Sequence, residues 1–446
     1  MIRNTQQNWL RLTLITGDIA LSAATLLIVT ALRYGASWSL ANTYWPHLLA
    51  FTAVIVFNVI SHYAFGLYDS IQRPTDAEVF MSCLRSQALA TVIGAVLFYF
   101  LAPQLTELEP RRVLLGFTFG LLPLTLLWHV TSRRLLYRAV PPLRVLILGQ
   151  ANRAQRLAKE LRAAPYLGYQ VASHVPSSGE AIANSIKKHQ PDIIVNALEE
   201  VVTPDALVAL RRCLNEHRPV ISLASFTEQV LRKVPVEDVD HWWFIENFSL
   251  RRRPLYEAGK RVSDILISIA LMAITLPLLP FIALAVKTTP GSLFFKQVRT
   301  GRHGQPFLAM KFRSMVTNAE ANGPQWSSLN DSRITRPGRF LRATRLDEIP
   351  QLINILRGDM SFVGPRPERP EFVDKLQEQI PFYQERHLVK PGLTGWAQIN
   401  YPYGDSAEDA LEKLRYDLYY IKNRSLMLDV STVLKTINTV LRGLGR

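Results

Sequence analysis

The stretch Ile265–Val286 reads ILISIALMAITLPLLPFIALAV; it carries no charge and is long enough to cross a bilayer. Pro277 and Pro280 lie near its middle, and each removes a helical hydrogen bond. Basic residues flank both ends, namely Lys260, Arg261 and Lys287. Because a crossing helix is basic mainly on its cytoplasmic side, the pattern favours a re-entrant segment over a full crossing. Thr275 is a candidate to satisfy the backbone at such a break.

Four further apolar runs precede this stretch, and most approach the roughly 20 residues that a helix needs to cross a bilayer. They are Leu12–Leu32, Pro46–Leu67, Gln87–Pro103 and Val113–Thr131. Asp18 is the one acidic residue inside the first run. Arginines precede the first run, lie between the second and third, and follow the fourth. The N-terminus and everything after Arg133 are therefore predicted to be cytoplasmic, with four transmembrane helices within residues 1–138.

The composition of the 446 residues narrows the class of protein. Mean hydropathy is +0.08, which excludes a disordered chain and disfavours an ordinary soluble enzyme. The net formal charge of +15 suggests nucleic acid, anionic lipid or phosphorylated substrates as partners. No soluble basic face carries a recognition motif, so we expect no nucleic acid partner. Cys83 and Cys213 are the only cysteines, and they are interpreted as small core residues.

Residues 139–245 alternate between strand and helix patterns, which predicts a parallel, doubly wound, Rossmann-like sheet. The predicted strands are Leu143–Leu148, Tyr169–Val175, Asp192–Leu198 and Pro219–Ala224, and the helices after the second and third are Gly179–His189 and Pro204–Glu216. The first turn, from Gly149 to Ala154, has one glycine where a dinucleotide fingerprint has three. A structural or regulatory role is therefore favoured over nucleotide binding.

Two short strands are predicted after the fifth apolar run, at Phe294–Arg299 and Pro306–Phe312. The second strand contains Lys311 and leads on to Arg313, and the alternation of side chains along a strand would place both on the same side. Both side chains are candidates to hold phosphate oxygens, and a solvated basic strand is the alternative.

An acid pair follows at Asp347 and Glu348. Pro350 suits the first turn of a helix that runs to about Leu356, so both acids would lie at its N-terminus. A helix start lowers the pKa of a carboxylate and attracts phosphate. The alternative interpretation is that the two acids only cap the N-terminus of this helix. Arg342 lies close by in sequence, and carboxylates beside a polyanionic substrate need a cation between them, usually Mg²⁺.

Four ordered motifs carry a specific resemblance. They are KFRSM at 311–315, LDEIPQ at 346–351, VGPRPE at 363–368 and PGLTGW at 391–396. Together they resemble the bacterial sugar transferase family, the monotopic phosphoglycosyl transferases, over roughly residues 257–446. The preceding spans and the Rossmann-like region look like its large undecaprenyl-phosphate glucose phosphotransferase subgroup. The expected fold is a membrane protein with a four-helix transmembrane bundle, a Rossmann-like α/β domain, and an α+β catalytic domain over 246–446 with a re-entrant hairpin at 262–288.

The resemblance implies transfer of a hexose-1-phosphate from a UDP-sugar to undecaprenyl phosphate, with release of UMP. It implies that Asp347 is the nucleophile and binds Mg²⁺, and that Glu348 assists as a base or orients the site. Lys311, Arg342 and Arg366 match positions suited to phosphate binding. Pro277 matches the helix-breaking proline, although Leu276 stands where the family often has serine. The expected location is the bacterial inner membrane, with the catalytic domain cytoplasmic and in contact with lipid.

Other functions remain open at this stage. A non-catalytic membrane scaffold of polysaccharide assembly is the main alternative, and the acid pair counts against it. An NAD-dependent oxidoreductase is disfavoured by the degenerate glycine turn. Glucose is the expected sugar and galactose the next. Neither a ligand of the Rossmann-like domain nor a homodimer is decided by the sequence.

Overall fold

A computed structural model describes most of the chain. The described residues are 2–69, 76–101, 110–139, 141–149, 152–175, 178–198, 204–215, 218–248, 253–321, 323, 325, 331–401, 404 and 406–441. They form two compact units, Met1–Ser222 and Leu223–Arg446. The predicted glycine turn falls partly outside the described residues, at positions 150 and 151.

The first unit begins with four long apolar helices, α1 (Ile2–Tyr34), α2 (Trp45–Ala64), α3 (Asp76–Leu101) and α4 (Pro110–Ala139). Helix α1 packs on α2 and α4, and α3 packs on α2 and α4. All four contribute to one core, whose buried members include Leu26, Phe51, Phe98 and Phe117. The four predicted apolar runs are confirmed as long helices, whose length and hydropathy are sufficient to cross a membrane.

The rest of the first unit is an α/β domain. Its elements are β1 (Leu143–Leu148), α5 (Asn152–Ala163), β2 (Tyr169–Val175), α6 (Gly179–His189), β3 (Ile193–Asn196), α7 (Pro204–Asn215) and β4 (Val220–Ser222). The strands are all parallel, in the order β2-β1-β3-β4. The predicted parallel sheet is confirmed. The last strand is shorter than predicted because a helix starts at Leu223.

Gly149 is required by the backbone where β1 ends. Its φ of +118° suits glycine, and a Cβ there would lie 2.8 Å from the Ala197 carbonyl oxygen beyond β3. The close approach of these two strand ends accounts for the single glycine of the turn without a bound nucleotide.

The second unit holds the remaining elements. They are α8 (Leu223–Leu231), α9 (His241–Phe248), α10 (Pro254–Thr275), α11 (Leu279–Lys287), β5 (Phe294–Thr300), β6 (Pro306–Phe312), α12 (Arg336–Ala343), α13 (Gln351–Arg357), β7 (Ser361–Val363), α14 (Pro370–Gln379), β8 (Gly392–Thr394), α15 (Trp396–Asn400), α16 (Ala407–Asn423) and α17 (Leu426–Leu441). Strands β5 and β6 form an antiparallel pair, and β7 and β8 a parallel pair.

The main core of the second unit joins its early and late segments. Phe244 and Phe248 of α9 are buried in the same cluster as Ile355, Trp396 and Leu418. The Trp396 indole Nε1 donates a hydrogen bond to the Arg232 carbonyl oxygen at 3.1 Å. The compact unit therefore begins before residue 246, and Trp396 is a core residue.

The fifth apolar segment is broken at the predicted prolines. Helix α10 ends at Thr275, a 3₁₀ turn covers Leu276–Leu278 around Pro277, and α11 begins at Leu279. The Thr275 hydroxyl donates to the Leu271 carbonyl oxygen at 2.7 Å. This contact lies within α10 and does not reach the Ala273 carbonyl, which loses its usual donor at Pro277, so the role of Thr275 at the break stays a prediction.

Candidate active site

The acid pair lies in a tight turn between two short helices. Asp347 and Glu348 occupy a 3₁₀ turn, Leu346–Glu348, that separates α12 from α13. Arg345 just before it has a left-handed backbone, with φ +59° and ψ +13°. Both acids are buried, at 5% and 6% exposure. The predicted helix after the pair is confirmed as α13, which starts at Gln351.

Glu348 is surrounded by cations. Its Oε1 accepts hydrogen bonds from Lys311 Nζ at 2.7 Å and from Arg366 Nη2 at 2.9 Å. Arg345 Nη1 lies 3.4 Å from the same oxygen. Burial opposes ionisation of Glu348, but the charges of Arg366, Lys311 and Arg345 outweigh it and hold its pKa well below the ordinary value. Glu348 therefore stays an anion and organises three cations around the pocket.

Asp347 has different surroundings from its neighbour. Its Oδ1 is buried and has no hydrogen-bond partner among the residues that the structure describes. Burial raises the pKa of Asp347, the charge of Lys311 lowers it, and the adjacent Glu348 raises it again, so the net shift is upward. The expectation that a helix start lowers this pKa is wrong for Asp347, because the residue lies in a separate turn before α13 and its burial outweighs the charges of nearby cations.

Both acids face a cavity of about 950 Å³ within the second unit. Its polar lining includes the acid pair with Lys311, Arg342 and Arg366. Its apolar lining includes Leu271 of α10, Phe362 and Leu393. The same cavity is thus lined by charged side chains and by a residue of the broken apolar segment.

The structure brings together three of the four predicted phosphate-binding residues. Lys311 and Arg366 contact Glu348, and Arg342 Nε donates to the Ser314 hydroxyl at 3.1 Å. With Arg345, four cations face two carboxylates, so the site carries excess positive charge. Such a balance favours an anionic ligand. The phosphate-binding roles themselves stay predictions.

Arg313 is the exception. Its guanidinium donates to four backbone carbonyls at the end of α11 and just after it: Ser292 at 2.7 Å, Thr289 at 2.8 Å, Val286 at 3.1 Å, and Pro290. Strand β6 ends at Phe312, so alternation with Lys311 does not extend to Arg313. Arg313 lines the cavity, but its nitrogens already hold the end of α11 and the chain that follows, so we favour this structural role over phosphate binding.

Sequence reasoning missed two further cations of the site. Arg345 reaches Glu348 from a left-handed backbone position just before the acid pair, and that backbone conformation has no simple sequence signal. Arg299 of β5 lines the cavity and lies 3.9 Å from Glu368. Its position depends on the β5–β6 pairing, which no local pattern reveals.

The residues present fit a divalent cation. Asp347 lines the cavity, and its Oδ1 has no hydrogen-bond partner among the described residues. A carboxylate oxygen of this kind is a hard donor, and Mg²⁺ binds such donors together with phosphate oxygens. Glu348 is less suited, because its Oε1 is already engaged by three cations.

Comparison with known proteins identifies the family. A model of the family described as bacterial sugar transferase matches residues 255–443. A UDP-N-acetylgalactosamine-undecaprenyl-phosphate N-acetylgalactosaminephosphotransferase of Aeromonas hydrophila is 42% identical over 237 residues, 53% of this chain and 55% of the relative. A UDP-glucose:undecaprenyl-phosphate glucose-1-phosphate transferase of Escherichia coli (strain K12) is 34% identical over 312 residues, 66% of each chain.

A third relative is shorter. The uncharacterized sugar transferase EpsL of Bacillus subtilis (strain 168) is 41% identical over 188 residues, which are 41% of this chain and 87% of the relative. The matches thus span between about half and two thirds of the first two relatives, and most of the third. On this similarity, and on the motifs that line the cavity, the chain belongs to the bacterial sugar transferase family.

Proposed function

We propose that this protein transfers a hexose-1-phosphate from a UDP-sugar to undecaprenyl phosphate and releases UMP. The observation that carries the proposal is the buried, unpartnered Oδ1 of Asp347, which faces a cavity rich in cations. The named relatives act on UDP-sugars and undecaprenyl phosphate, which supports the same substrates here. A scaffold without catalysis has no use for a buried carboxylate and four cations around one cavity.

In the first half of the proposed reaction, an Asp347 carboxylate oxygen attacks the β-phosphorus of the UDP-sugar. A phosphorus–oxygen bond forms to Asp347, the bond to the bridging oxygen breaks, and UMP leaves with that oxygen and its electron pair. The product is a phosphosugar–aspartate adduct. Such covalent catalysis divides a transfer between two bulky substrates into two displacements.

In the second half, a phosphate oxygen of the lipid acceptor attacks the same phosphorus. The bond to Asp347 breaks, which restores the carboxylate and leaves the sugar on a lipid diphosphate. Lys311, Arg342 and Arg366 would hold the phosphate oxygens, and Glu348 keeps Lys311 and Arg366 in place. When bound at Asp347, Mg²⁺ would supply neutralisation of the diphosphate charge.

The broken segment α10–α11 is proposed to be a re-entrant membrane hairpin. Near its start, Arg261 donates to the Ile355 and Leu356 carbonyl oxygens, each at 2.6 Å. At its end, Val286 packs with Phe312 and Leu341 of the same unit. Because both ends are held by one compact unit, the chain is best explained as returning to the side from which it entered.

The surface of this segment supports immersion in lipid. Ile274, Phe281 and Leu284 are 69%, 72% and 72% exposed, which is unfavourable in water. A hairpin of this kind would hold the catalytic unit at the cytoplasmic face of the inner membrane. There a cytosolic UDP-sugar and the phosphate of a membrane lipid can reach one cavity.

The sugar and the activity are tested together. Purified protein in detergent, with Mg²⁺ and undecaprenyl phosphate, is screened for UMP release from UDP-glucose, UDP-galactose and UDP-N-acetylgalactosamine. UDP-glucose is the expected donor. The 42% identity to the Aeromonas hydrophila relative makes UDP-N-acetylgalactosamine the second candidate. Absence of UMP with every UDP-sugar, from protein that elutes as a folded species, would refute the enzyme and favour the scaffold.

A further inference from the structure

Four polar side chains meet inside the first unit, among helices that are otherwise apolar. Asp18 of α1, His62 of α2 and His129 of α4 are each at most 1% exposed. Tyr68, just after α2, is also buried. None of them belongs to the reaction proposed above. Ionisable groups inside membrane helices are rare because they are costly, so their convergence calls for a function.

The three ligand-type side chains converge on one point. His62 Nδ1 lies 2.9 Å and His129 Nε2 lies 3.1 Å from Asp18 Oδ2. The potential ligand atoms of all three lie within 4.8 Å of one another. Tetrahedral zinc, with bonds of about 2.0–2.2 Å, separates its ligand atoms by about 3.3 Å. Lengthening the two Asp18–imidazole distances by a few tenths of an ångström would bring both to this separation.

All three hydrogen-bond donors of Asp18 contact the same oxygen, Oδ2, and none of them carries a permanent positive charge. In the part of the chain that the structure describes, its ion-pair partners are the two imidazoles, which are charged only if protonated. Among the same described residues, its second oxygen, Oδ1, is buried without a hydrogen-bond partner. Burying a carboxylate costs several kcal/mol unless a cation or full hydrogen bonding offsets the cost. A divalent cation would supply that compensation.

The donor set selects the class of metal. Two imidazole nitrogens and one carboxylate suit zinc and related transition metals, whereas Mg²⁺ and Ca²⁺ prefer oxygen donors throughout. The Tyr68 hydroxyl donates to Asp18 Oδ2 at 2.6 Å, the kind of contact that orients a metal-bound carboxylate. We propose that Asp18, His62 and His129 form a zinc-class metal site that ties α1, α2 and α4 together.

The test uses the full chain, purified in detergent without an affinity tag and stripped with a chelator. After addition of Zn²⁺ and removal of excess, the protein should retain one equivalent by elemental analysis, and its Tm should rise. His129→Gln and His62→Gln should each lose the metal and the Tm rise. His47→Gln is the matched control, because His47 is an equally buried histidine of α2 whose Nδ1 contacts the Thr43 carbonyl oxygen instead.

Tyr68→Phe separates a metal site from a simple hydrogen-bonded cluster. It should bind Zn²⁺ about 10–100-fold more weakly without abolishing binding, as loss of an outer partner does. Should the histidine variants fail to fold, Co²⁺ added to stripped wild-type protein should give the visible bands of tetrahedral coordination. Wild-type protein without bound zinc and without those bands, or histidine variants that keep a full equivalent, would show that the cluster binds no metal.

Discussion

Asp347 and Glu348 are adjacent in sequence, yet their surroundings suit them to different tasks. Three cations within 3.4 Å of Glu348 Oε1 hold it as a permanent anion. Among the described residues, the Oδ1 of Asp347 has no hydrogen-bond partner, and because it is buried it is also shielded from water. Environments that push the pKa values of two neighbouring acids apart are typical of paired catalytic carboxylates.

Asp347→Asn should abolish UMP release and prevent any phosphosugar adduct, because an amide is a far weaker nucleophile than a carboxylate. The adduct is sought by mass spectrometry after mixing protein and UDP-sugar without the lipid acceptor. Asp374→Asn, which changes an exposed acid of α14, serves as the control and should leave both signals intact. If the Asp347→Asn protein still releases UMP, Asp347 is not the nucleophile.

In protein freed of divalent cations, the Asp347 carboxyl should titrate above the ordinary aspartate pKa of about 3.9, because burial raises its pKa. The measurement is the pH dependence of the carboxyl infrared band that Asp347→Asn removes. Glu348 should stay ionised over the same pH range, because the positive charges around it lower its pKa.

Arg342→Gln provides the check on this pH dependence. The positive charge of Arg342 lowers the pKa of Asp347, so its removal should move this titration in the metal-free protein to higher pH. A titration at or below the ordinary aspartate value, unmoved by Arg342→Gln, would contradict the raised pKa.

At the scale of elements, the broken segment α10–α11 is anchored at both ends by arginines. Arg261 holds the carboxyl end of α13, and Arg313 holds the chain leaving α11. Asp264 of α10 accepts from the Phe362 backbone N–H at 2.9 Å, which adds a link to β7. These polar contacts fix a mostly apolar segment whose remaining surface has few protein partners.

Arg313→Lys should destabilise the protein by about 2–4 kcal/mol, because lysine cannot reproduce a planar fork that serves four carbonyls. Thermal unfolding in detergent measures the effect, and KM for the UDP-sugar should stay unchanged. Arg342→Lys is the matched variant, with the reverse expectation of a raised KM and an unchanged Tm. A raised KM for Arg313→Lys at unchanged Tm would restore the phosphate-binding role.

Single cysteines at Leu255 and Thr288 should be labelled from the same side of the membrane. Both positions are exposed and flank the broken segment, and a hairpin brings the chain back to its side of entry. A membrane-impermeant thiol reagent on inverted and right-side-out vesicles measures the sidedness, in a background without Cys83 and Cys213. Labelling from opposite sides would mean that the segment crosses.

At the scale of the molecule, the proposed chemistry lies entirely in one of the two units. Every residue assigned to the reaction, and the cavity itself, falls within Leu223–Arg446, which has its own core. The first unit contains apolar helices and a parallel sheet with a separate core. The Bacillus subtilis relative matches only 188 residues of this chain, and these make up 87% of its own length.

A truncated protein of residues 223–446 should therefore fold in detergent and form the phosphosugar adduct at a rate within about tenfold of the full chain. Adduct mass and rate are compared at equal protein concentration, with Asp347→Asn in the truncated protein as the negative control. A folded truncated protein that forms no adduct would show that the first unit takes part in catalysis.

Local patterns in the sequence were sufficient for much of this description. Apolar runs, strand–helix alternation and the proline break depend on neighbours a few residues apart, so strands such as β1 and β2 were predicted to the residue. The motif around Asp347 and Glu348 likewise marked the site. The predictions failed where contacts between distant segments determine the outcome. The Arg313 guanidinium donates to backbone carbonyls of another segment, and burial reverses the expected pKa shift of Asp347.

The sequence by itself determined the class of protein, the positions of the apolar segments and the acid pair that faces the substrate cavity. Each of these depends on residues that are close together along the chain. Only the tertiary structure decided which cations reach Glu348, which oxygen of Asp347 stays unpartnered, and that Asp18 meets two histidines 44 and 111 residues away. The physical reason is that burial and charge pairing depend on packing between elements that are distant in sequence.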